Sequence, residues 1–388
     1  MQQSHPTPEQ GKLGIVGGGQ LGRMLIQAAL DLSLHVEVLD PSPEAPCRPY
    51  AHRFAQGSLT DYDTVYAFGR DLDQLTVEIE NVNVDALEAL QREGKRVYPD
   101  PATLRMIQDK RLQKQFFAEH GFPTAPFRLT DDRAAVEAAG MLPAVQKLGK
   151  AGYDGRGVQI LHSQADLTKA FDAPSVLEEL VPFEKELAVL VARNTQGDTA
   201  TYPVVEMVFH PEHNLVEYLF APAEISVSES LAAQDLARKL VQRLEYVGLL
   251  AVEMFLVEGE LLINEIAPRP HNSGHHTIKA CMTSQYEQHL RAILGWPLGD
   301  PEQMVPAAMV NLLGAEGHQG PAVYQGLDLA MQLGGVYPHV YGKAETRPYR
   351  KMGHVTILER DREALRQKAL QVKDLIKVVS QPVAGEPR

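Results

Sequence analysis

The sequence predicts a chain of mixed class: an α/β, doubly wound unit at the N-terminus, followed by α+β domains rich in short strands. Three observations carry this. The 388 residues exceed what one ordinary core holds, so two or three domains are expected. Residues 12–100 alternate strand and helix signals, the pattern of a parallel sheet. After residue 100 the pattern gives way to a proline-bounded helical stretch and then to short β-rich runs.

In chain order, "KLGIV" reads as a strand and "GQLGRMLIQAALDL" as the helix after it. "HVEVLD" and "LTVEIE" are further strands, "VDALEALQRE" a helix and "RVYP" a short closing strand. Gly17, Gly19 and Gly22 in the first turn fit G-x-G-x-x-G, which lets the backbone approach a ligand closely. Asp40 ends the second strand, where a dinucleotide site would carry its acidic residue. Residues 99–127 read as a helical stretch that opens a second domain. "AVQKL", "GVQIL", "SVLEEL", "ELAVLVAR" and "ATYPVVEMVF" read as strands, with a helix at 163–172 among them. A longer helix covers "SESLAAQDLARKLVQRLEYVG". "LAVEMFLV" and "LLINEIA" form a hairpin around "EGE", and "SQYEQHLRAIL" is a helix. A third segment has short strands and a final helix at 361–376. The expected divisions are a loose extension over 1–11, a Rossmann-like domain over 12–105, a central domain over 106–300 and a small β-rich domain over 301–388.

Composition narrows the function. A formal charge of −13 repels polyanions, so no nucleic acid partner is expected. No apolar run approaches the roughly 18 residues of a membrane span, so no membrane partner is expected either. The first eleven residues lack the basic start and apolar middle of a signal peptide. Cys47 and Cys281 stand in no paired motif, which fits a reducing compartment, the cytoplasm by default.

Five stretches carry candidate chemistry. No Gly-Lys pair is followed by Ser or Thr, so there is no P-loop. "QKLGKAGYDGRGV" (146–158) is nevertheless glycine-rich between two strands and offers Lys147 to a phosphate; alone it also reads as a hairpin loop. In the hairpin, a three-residue loop Glu258–Glu260 pairs Val257 with Leu261 and sets Glu253 opposite Glu265. Two carboxylates on one apolar face repel each other, and a hard cation such as Mg²⁺ resolves that, with Asn264 as a neutral oxygen nearby. A two-residue loop would instead set Asn264 opposite Glu253. "APRPHNSGHH" (267–276) offers Arg269, His271, Asn272, Ser273, His275 and His276; Arg269 and Asn272 suit a small planar oxyanion, and zinc is the weaker reading. "GKAETRPYRKMGH" (342–354) concentrates Lys343, Arg347, Arg350 and Lys351 in an acidic chain, which suits a substrate phosphate or a solvated surface equally. "VEIEN" (77–81) places Glu78 and Glu80 on one face of a strand end, where carboxylates accept ribose hydroxyls or simply meet water.

In this order these pieces resemble the ATP-grasp superfamily, and within it the N5-carboxyaminoimidazole ribonucleotide synthetase family of purine biosynthesis. The stretches that carry the resemblance are "GGGQLGRM" (17–24), "QKQFF" with "PTAPF", "GYDGRG" (152–157), "EELVPFEKELAVLVAR" (178–193), "NEIAPRPHNSGH" (264–275) and "RPYRKMGH" (347–354). Tyr349 stands where the family pattern has glycine. The resemblance implies a pre-ATP-grasp domain, an ATP-grasp domain with a lid at about 125–185 and a small C-terminal domain. ATP would meet Lys110, Lys147, the loop Gly152, Tyr153, Asp154, Gly155, Arg156, Gly157 and Val158, and also His210 and Asn264. Glu178, Glu179, Leu180 and Val181 would line the adenine edge and Glu186 would take ribose hydroxyls. Glu253 and Glu265 would hold Mg²⁺, with Mn²⁺ as a substitute. Gln20, Leu21, Glu78, Glu80, Tyr153, Arg156, Ser273, Lys343, Arg350 and Lys351 would face aminoimidazole ribonucleotide, and Asp154, Arg269, His271 and Asn272 would be catalytic.

The activity so implied is that of an ATP-dependent carbon–nitrogen ligase: carboxylation of aminoimidazole ribonucleotide with bicarbonate through carboxyphosphate. A homodimer is implied as well. Another ATP-grasp ligase acting on a different amine, a non-catalytic nucleotide-binding protein and an NAD-dependent oxidoreductase are the alternatives. On the leading reading the glycine turn has no measurable NAD affinity.

Overall fold

The computed structural model describes residues 11–150, 157–209 and 216–381. Of its first five strands, the three central ones, Lys12–Val16, His35–Asp40 and Gln74–Val77, are short and mostly buried, which suits a parallel sheet covered on both sides. They pair in the order Arg53–Gln56, His35–Asp40, Lys12–Val16, Gln74–Val77, Arg96–Val97. Helix Gln20–Asp31 closes one face, burying Leu21, Met24 and Leu25 with Ile15 and Val36. Helices Tyr62–Gly69 and Val84–Arg92 close the other around Val16, Val77, Leu87 and Leu90. Strand Arg53–Gln56 and helix Tyr62–Gly69 carry no clear periodic signal and were not expected. The strand expected over "LTVEIE" stops at Val77, so Glu78 and Glu80 do not share a strand face.

The helical stretch expected over 99–127 is two helices, Pro101–Ile107 and Lys110–Glu119. The break has a local cause: Asp109 caps the second helix, its carboxylate accepting the Arg111 N–H at 3.0 Å. The next strands form a four-stranded antiparallel sheet in the order Phe127–Thr130, Ser175–Glu179, Ala144–Leu148, Val158–Leu161. The helix expected at 163–172 is a short 3₁₀ element, Gln164–Lys169, started by a Ser163–Asp166 capping box.

A nine-stranded sheet runs Glu260–Ala267, Gly248–Val257, Lys185–Arg193, Val205–Phe209, Val216–Ala221, Ala307–Leu313, Lys351–Leu358, Val336–Val340, with Thr199–Thr201 beside Lys185–Arg193. "ATYPVVEMVF" therefore divides into two strands around Pro203, which has no N–H to give a ladder. The long helix spans Val227–Arg243 and ends before Glu245, whose φ of 48° leaves the helical region. Helix Val227–Arg243 and helix Gln285–Leu294 pack on the strands Lys185–Arg193 and Gly248–Val257. The C-terminal segment does not build a detached sheet for its main strands. Ala307–Leu313 pairs with Val216–Ala221, so the sheet continues from the central domain into the last one. Helix Arg362–Leu375 covers that end with Leu365, Ala369 and Val372.

Buried polar contacts join the three parts. Thr76 Oγ1 lies 2.9 Å from His289 Nε2, and Gln74 Nε2 donates to Ile293 O at 3.0 Å. Arg23 donates to Val340 O at 2.8 Å, linking the first helix to the C-terminal strands. His275, His354 and His339 stack at 4.4 and 4.5 Å between ring centres across the junction of the central and C-terminal parts.

Candidate active site

The hairpin is the starting point, and its register corrects the expected loop. The turn has two residues, Glu258 and Gly259, with φ of 50° and 81°, and pairs Val257 with Glu260. Such a turn matches the twist of paired strands. Carried on without a break, that register would set Asn264 opposite Glu253. A β-bulge intervenes between Met254 and Glu253, where the partners change from Ile263 to Glu265. Asn264 is the extra residue of the bulge, and Glu253 lies opposite Glu265 after all. The expected pair forms by a different route.

The two carboxylates differ electrically. Lys110, the first residue of its helix, forms an ion pair with Glu265. That ammonium, ahead of opposing burial, holds Glu265 well below the usual carboxylate range. Burial first, and then the neighbouring Glu265, push Glu253 well up. Glu186 stands on the same sheet face, one alternation from Ala188, which pairs with Glu253; burial raises it to about 7. Among the described residues no three His, Cys, Asp or Glu side chains converge as a metal cage. The hairpin thus presents two hard oxygen donors and an excess of buried negative charge. That fits a Mg²⁺ ion completed by phosphate and water oxygens rather than a closed protein site.

Behind the hairpin lies a buried chain of charges. Lys147 Nζ donates to Asn264 Oδ1 at 2.6 Å and to Glu178 at 3.1 Å. Lys114 Nζ lies 3.3 Å from the other oxygen of Glu178, and both of those side chains are 3% exposed. Lys114 also donates to Thr124 Oγ1, which donates to Ile263 O at 2.7 Å. Burial opposes ionisation of Glu178, but Lys147 and Lys114 outweigh it and hold the carboxyl down. The carboxylate of Glu178, a residue expected at the adenine edge, is turned inward between two ammonium groups. Lys114 was not expected at all, because "KRLQKQFFAE" reads as an ordinary amphipathic helix. Glu179 ends the interior strand Ser175–Glu179 and is exposed, and Leu180 and Val181 follow it out of the four-stranded sheet. Val158 pairs with Lys147 across the glycine-rich connection, and Gly157 takes φ of 76°. Gly152, Tyr153, Asp154, Gly155, Arg156 and His210 lie outside the described residues.

The second half of the site follows the hairpin directly. His271 Nε2 lies 3.4 Å from Glu253, so the two halves touch. His271 Nδ1 is 2.9 Å from Ser273 Oγ. Arg269 forms an ion pair with Glu80 at 2.8 Å, which brings the N-terminal domain to the same place. The side-chain nitrogen of Asn272 is buried and has no hydrogen-bond partner among the described residues, a donor suited to a ligand. In the C-terminal part, Lys343 donates to Lys351 O at 2.7 Å and Arg350 to Glu345 O at 2.6 Å. Tyr349 between them has φ of 62°, the left-handed backbone that explains glycine in the family pattern.

The glycine turn is already occupied by the chain itself. Glu78 accepts the Gly19 and Leu21 N–H groups, each at 3.1 Å, and Asp40 accepts the Gly18 N–H at 2.7 Å. A Cβ on residue 19 would sit 2.4 Å from Glu78 Oε1, which is why glycine is needed there. Burial raises Glu78 despite those two bonds. Asp40, at the end of its strand, also takes the Ser42 N–H at 2.8 Å and so shapes the turn. Gln20 and Leu21 open the helix beside Glu78, and Leu21 is buried in the core.

A parallel-sheet domain, a four-stranded antiparallel sheet and a nine-stranded sheet that meet over buried lysines and paired carboxylates define an ATP-grasp protein. Residues 115–286 match the ATP-grasp domain family, residues 11–108 the ribonucleotide synthetase preATP-grasp domain and residues 307–368 the phosphoribosylaminoimidazole carboxylase C-terminal domain. The structure is similar to N5-carboxyaminoimidazole ribonucleotide synthetase from Thermotoga maritima, with a TM-score of 0.89 and 44% identity over 96% of this chain and 100% of that one. It is also similar to the Aspergillus clavatus N5-carboxyaminoimidazole synthase solved with ADP and 5-aminoimidazole ribonucleotide, with a TM-score of 0.86 and 32% identity over 95% and 99% of the two chains. The chloroplastic phosphoribosylaminoimidazole carboxylase of Vigna aconitifolia is 42% identical over 89% of this chain, which spans 64% of that protein. The chain belongs to the N5-carboxyaminoimidazole ribonucleotide synthase family. No helix among the described residues is long and apolar enough to cross a membrane.

Proposed function

We propose that this chain carboxylates 5-aminoimidazole ribonucleotide at its amine, using ATP and bicarbonate and releasing ADP and phosphate. One observation carries the reading: Glu253 and His271 touch at 3.4 Å, so a phosphate-handling half and an amine-handling half form one continuous site. Bicarbonate is a poor electrophile until one oxygen receives the γ-phosphoryl group, giving carboxyphosphate. That transfer is mainly positioning and charge neutralisation. Lys110 and Lys147 supply fixed positive charge, and Glu178, Glu265 and Asn264 hold those ammonium groups in place. Glu253 and Glu265 would hold Mg²⁺, whose chemistry is to neutralise developing phosphate charge. Carboxyphosphate splits to CO₂ and phosphate, and the substrate amine attacks the CO₂ carbon to give the carbamate. Asp154 or His271 would take the amine proton, Asn272 would orient an oxyanion and Arg269 would hold the substrate side. Lys343, Arg350 and Lys351 bind the ribonucleotide phosphate in this reading, and the loop at 152–158 excludes water. A cytoplasmic homodimer belongs to the same reading, and sedimentation checks the subunit number.

The test is phosphate release from MgATP with and without bicarbonate and aminoimidazole ribonucleotide. Release is expected to need both. Release indifferent to both co-substrates overturns the reading, and His271→Ala with full ATP-dependent carboxylation removes the role given to that imidazole.

A further inference from the structure

We infer that Gln285, which lies outside both halves of the site, is a positioning residue for the amine-handling half: its amide fixes the main chain of His271 and thereby the aim of Arg269, His271 and Asn272. The inference rests on the reading of that segment given above. Gln285 is the first residue of helix Gln285–Leu294 and is fully buried. Its Oε1 accepts the His271 N–H at 2.8 Å and its Nε2 donates to the His271 C=O at 2.8 Å. One side chain thus holds both main-chain groups of one residue, as a neighbouring strand would, and pins the peptides on either side of it.

The surroundings demand an amide in this place. The Gln285 N–H donates to Thr277 Oγ1 at 2.9 Å, and that hydroxyl donates to Gly274 O at 2.6 Å, which closes the segment a second time. Gly274 passes so near that a Cβ there would stand 2.4 Å from Gln285 Oε1 and 2.4 Å from a Leu190 methyl. Gln285 Nε2 also faces His275 Nδ1 at 3.3 Å, a nitrogen that Tyr286 O–H approaches at 3.0 Å. Burial, ahead of the neighbouring His271, His339, Lys351 and His276, pushes the His275 imidazole well below its ordinary range, so it is a neutral neighbour. A donor and an acceptor are both required, in a dry site, with no charge.

Two variants read the role. Gln285→Met removes both bonds to His271; the expected result is a rise in KM for aminoimidazole ribonucleotide of about tenfold or more, with KM for ATP changed less than about twofold. Gln285→Glu keeps the shape. Protonated, the carboxyl accepts the His271 N–H and donates to its C=O; ionised, it repels that carbonyl. In a buried site the neutral form persists far above the usual carboxylate range. Its KM for aminoimidazole ribonucleotide should match the native value near pH 6.5 and climb toward that of Gln285→Met near pH 9, roughly the range over which such a carboxyl titrates. A structural filler would move neither the KM ratio nor the pH profile in this way. Equal losses in both KM values, or a Gln285→Glu profile parallel to the native one, overturn the inference; if Gln285→Met does not fold, the Gln285→Glu profile decides alone. A native enzyme indifferent to aminoimidazole ribonucleotide removes the proposed function and this inference with it. A native enzyme that responds while both variants keep its KM removes the inference only.

Discussion

The glycine turn at 17–22 and the hairpin at 248–267 each bring to a motif that attracts ligands a glutamate whose carboxyl burial pushes up, and they differ in which partners the chain sets beside it. At the turn, Glu78 and Asp40 accept the N–H groups of Gly18, Gly19 and Leu21, so the donors that would cradle a phosphate are engaged within the chain. On the hairpin, Lys110 neutralises Glu265, while among the described residues no lysine or arginine lies within ion-pair distance of Glu253. Burial and Glu265 then push Glu253 up. The first motif is closed to an anion, and the second is short of one positive charge. A motif tells which groups are present; a partner from a distant segment decides whether they are still available to a ligand.

The hardest break in that contrast is Glu265→Ala. It removes one metal oxygen and releases Lys110 from its partner, so kcat for co-substrate-dependent phosphate release should fall by about a thousandfold or more, roughly 4 kcal/mol in the barrier. Chelating the divalent ion should silence the native enzyme in the same assay. A Glu265→Ala variant with native kcat would place the metal elsewhere. Next in size is Lys114→Met. It leaves Glu178 buried with Lys147 as its one remaining ammonium partner, and breaking such a buried pair costs about 3 kcal/mol. A fall in the urea midpoint measures it; an unchanged midpoint would mean that Lys147 alone satisfies the carboxylate.

Glu78→Ala turns the comparison round by opening the closed motif. Gly19 and Leu21 lose their acceptor, for a stability loss of about 1–3 kcal/mol. The freed N–H groups at a helix start then form an anion site. Sulfate should therefore raise the melting temperature of Glu78→Ala more than that of the native protein. Equal shifts would mean that the turn is already open.

These two motifs also show how far a sequence can be read. The order of domains and the Glu253–Glu265 pair were legible, because strand alternation and paired apolar runs are local signals. The route to that pair was not. The turn is one residue shorter than expected and the bulge at Asn264 restores the register, and Asn264 there accepts a hydrogen bond from Lys147, which comes from a different sheet. Lys114 and Gln285 were invisible for a related reason. Each sits on a helix with ordinary spacing, and its role appears only when Glu178 or His271 is brought against it. Glu80 and Arg269 were each picked out, but their ion pair joins domains that no local pattern could dock.

The smallest effect separates the turn from the bulge. Glu258 holds a left-handed backbone, φ 50°, at the first position of a two-residue turn that favours Asn-Gly. Glu258→Asn relieves that strain and keeps the N–H that Glu184 accepts at 2.8 Å. A gain of about 0.5 kcal/mol is expected, read as a small rise in urea midpoint. Activity should not change, because the Glu253–Glu265 pairing is set beyond the bulge and not by the turn residue. A more stable variant with altered Mg²⁺ dependence would show instead that the turn transmits its geometry through the hairpin to the carboxylates.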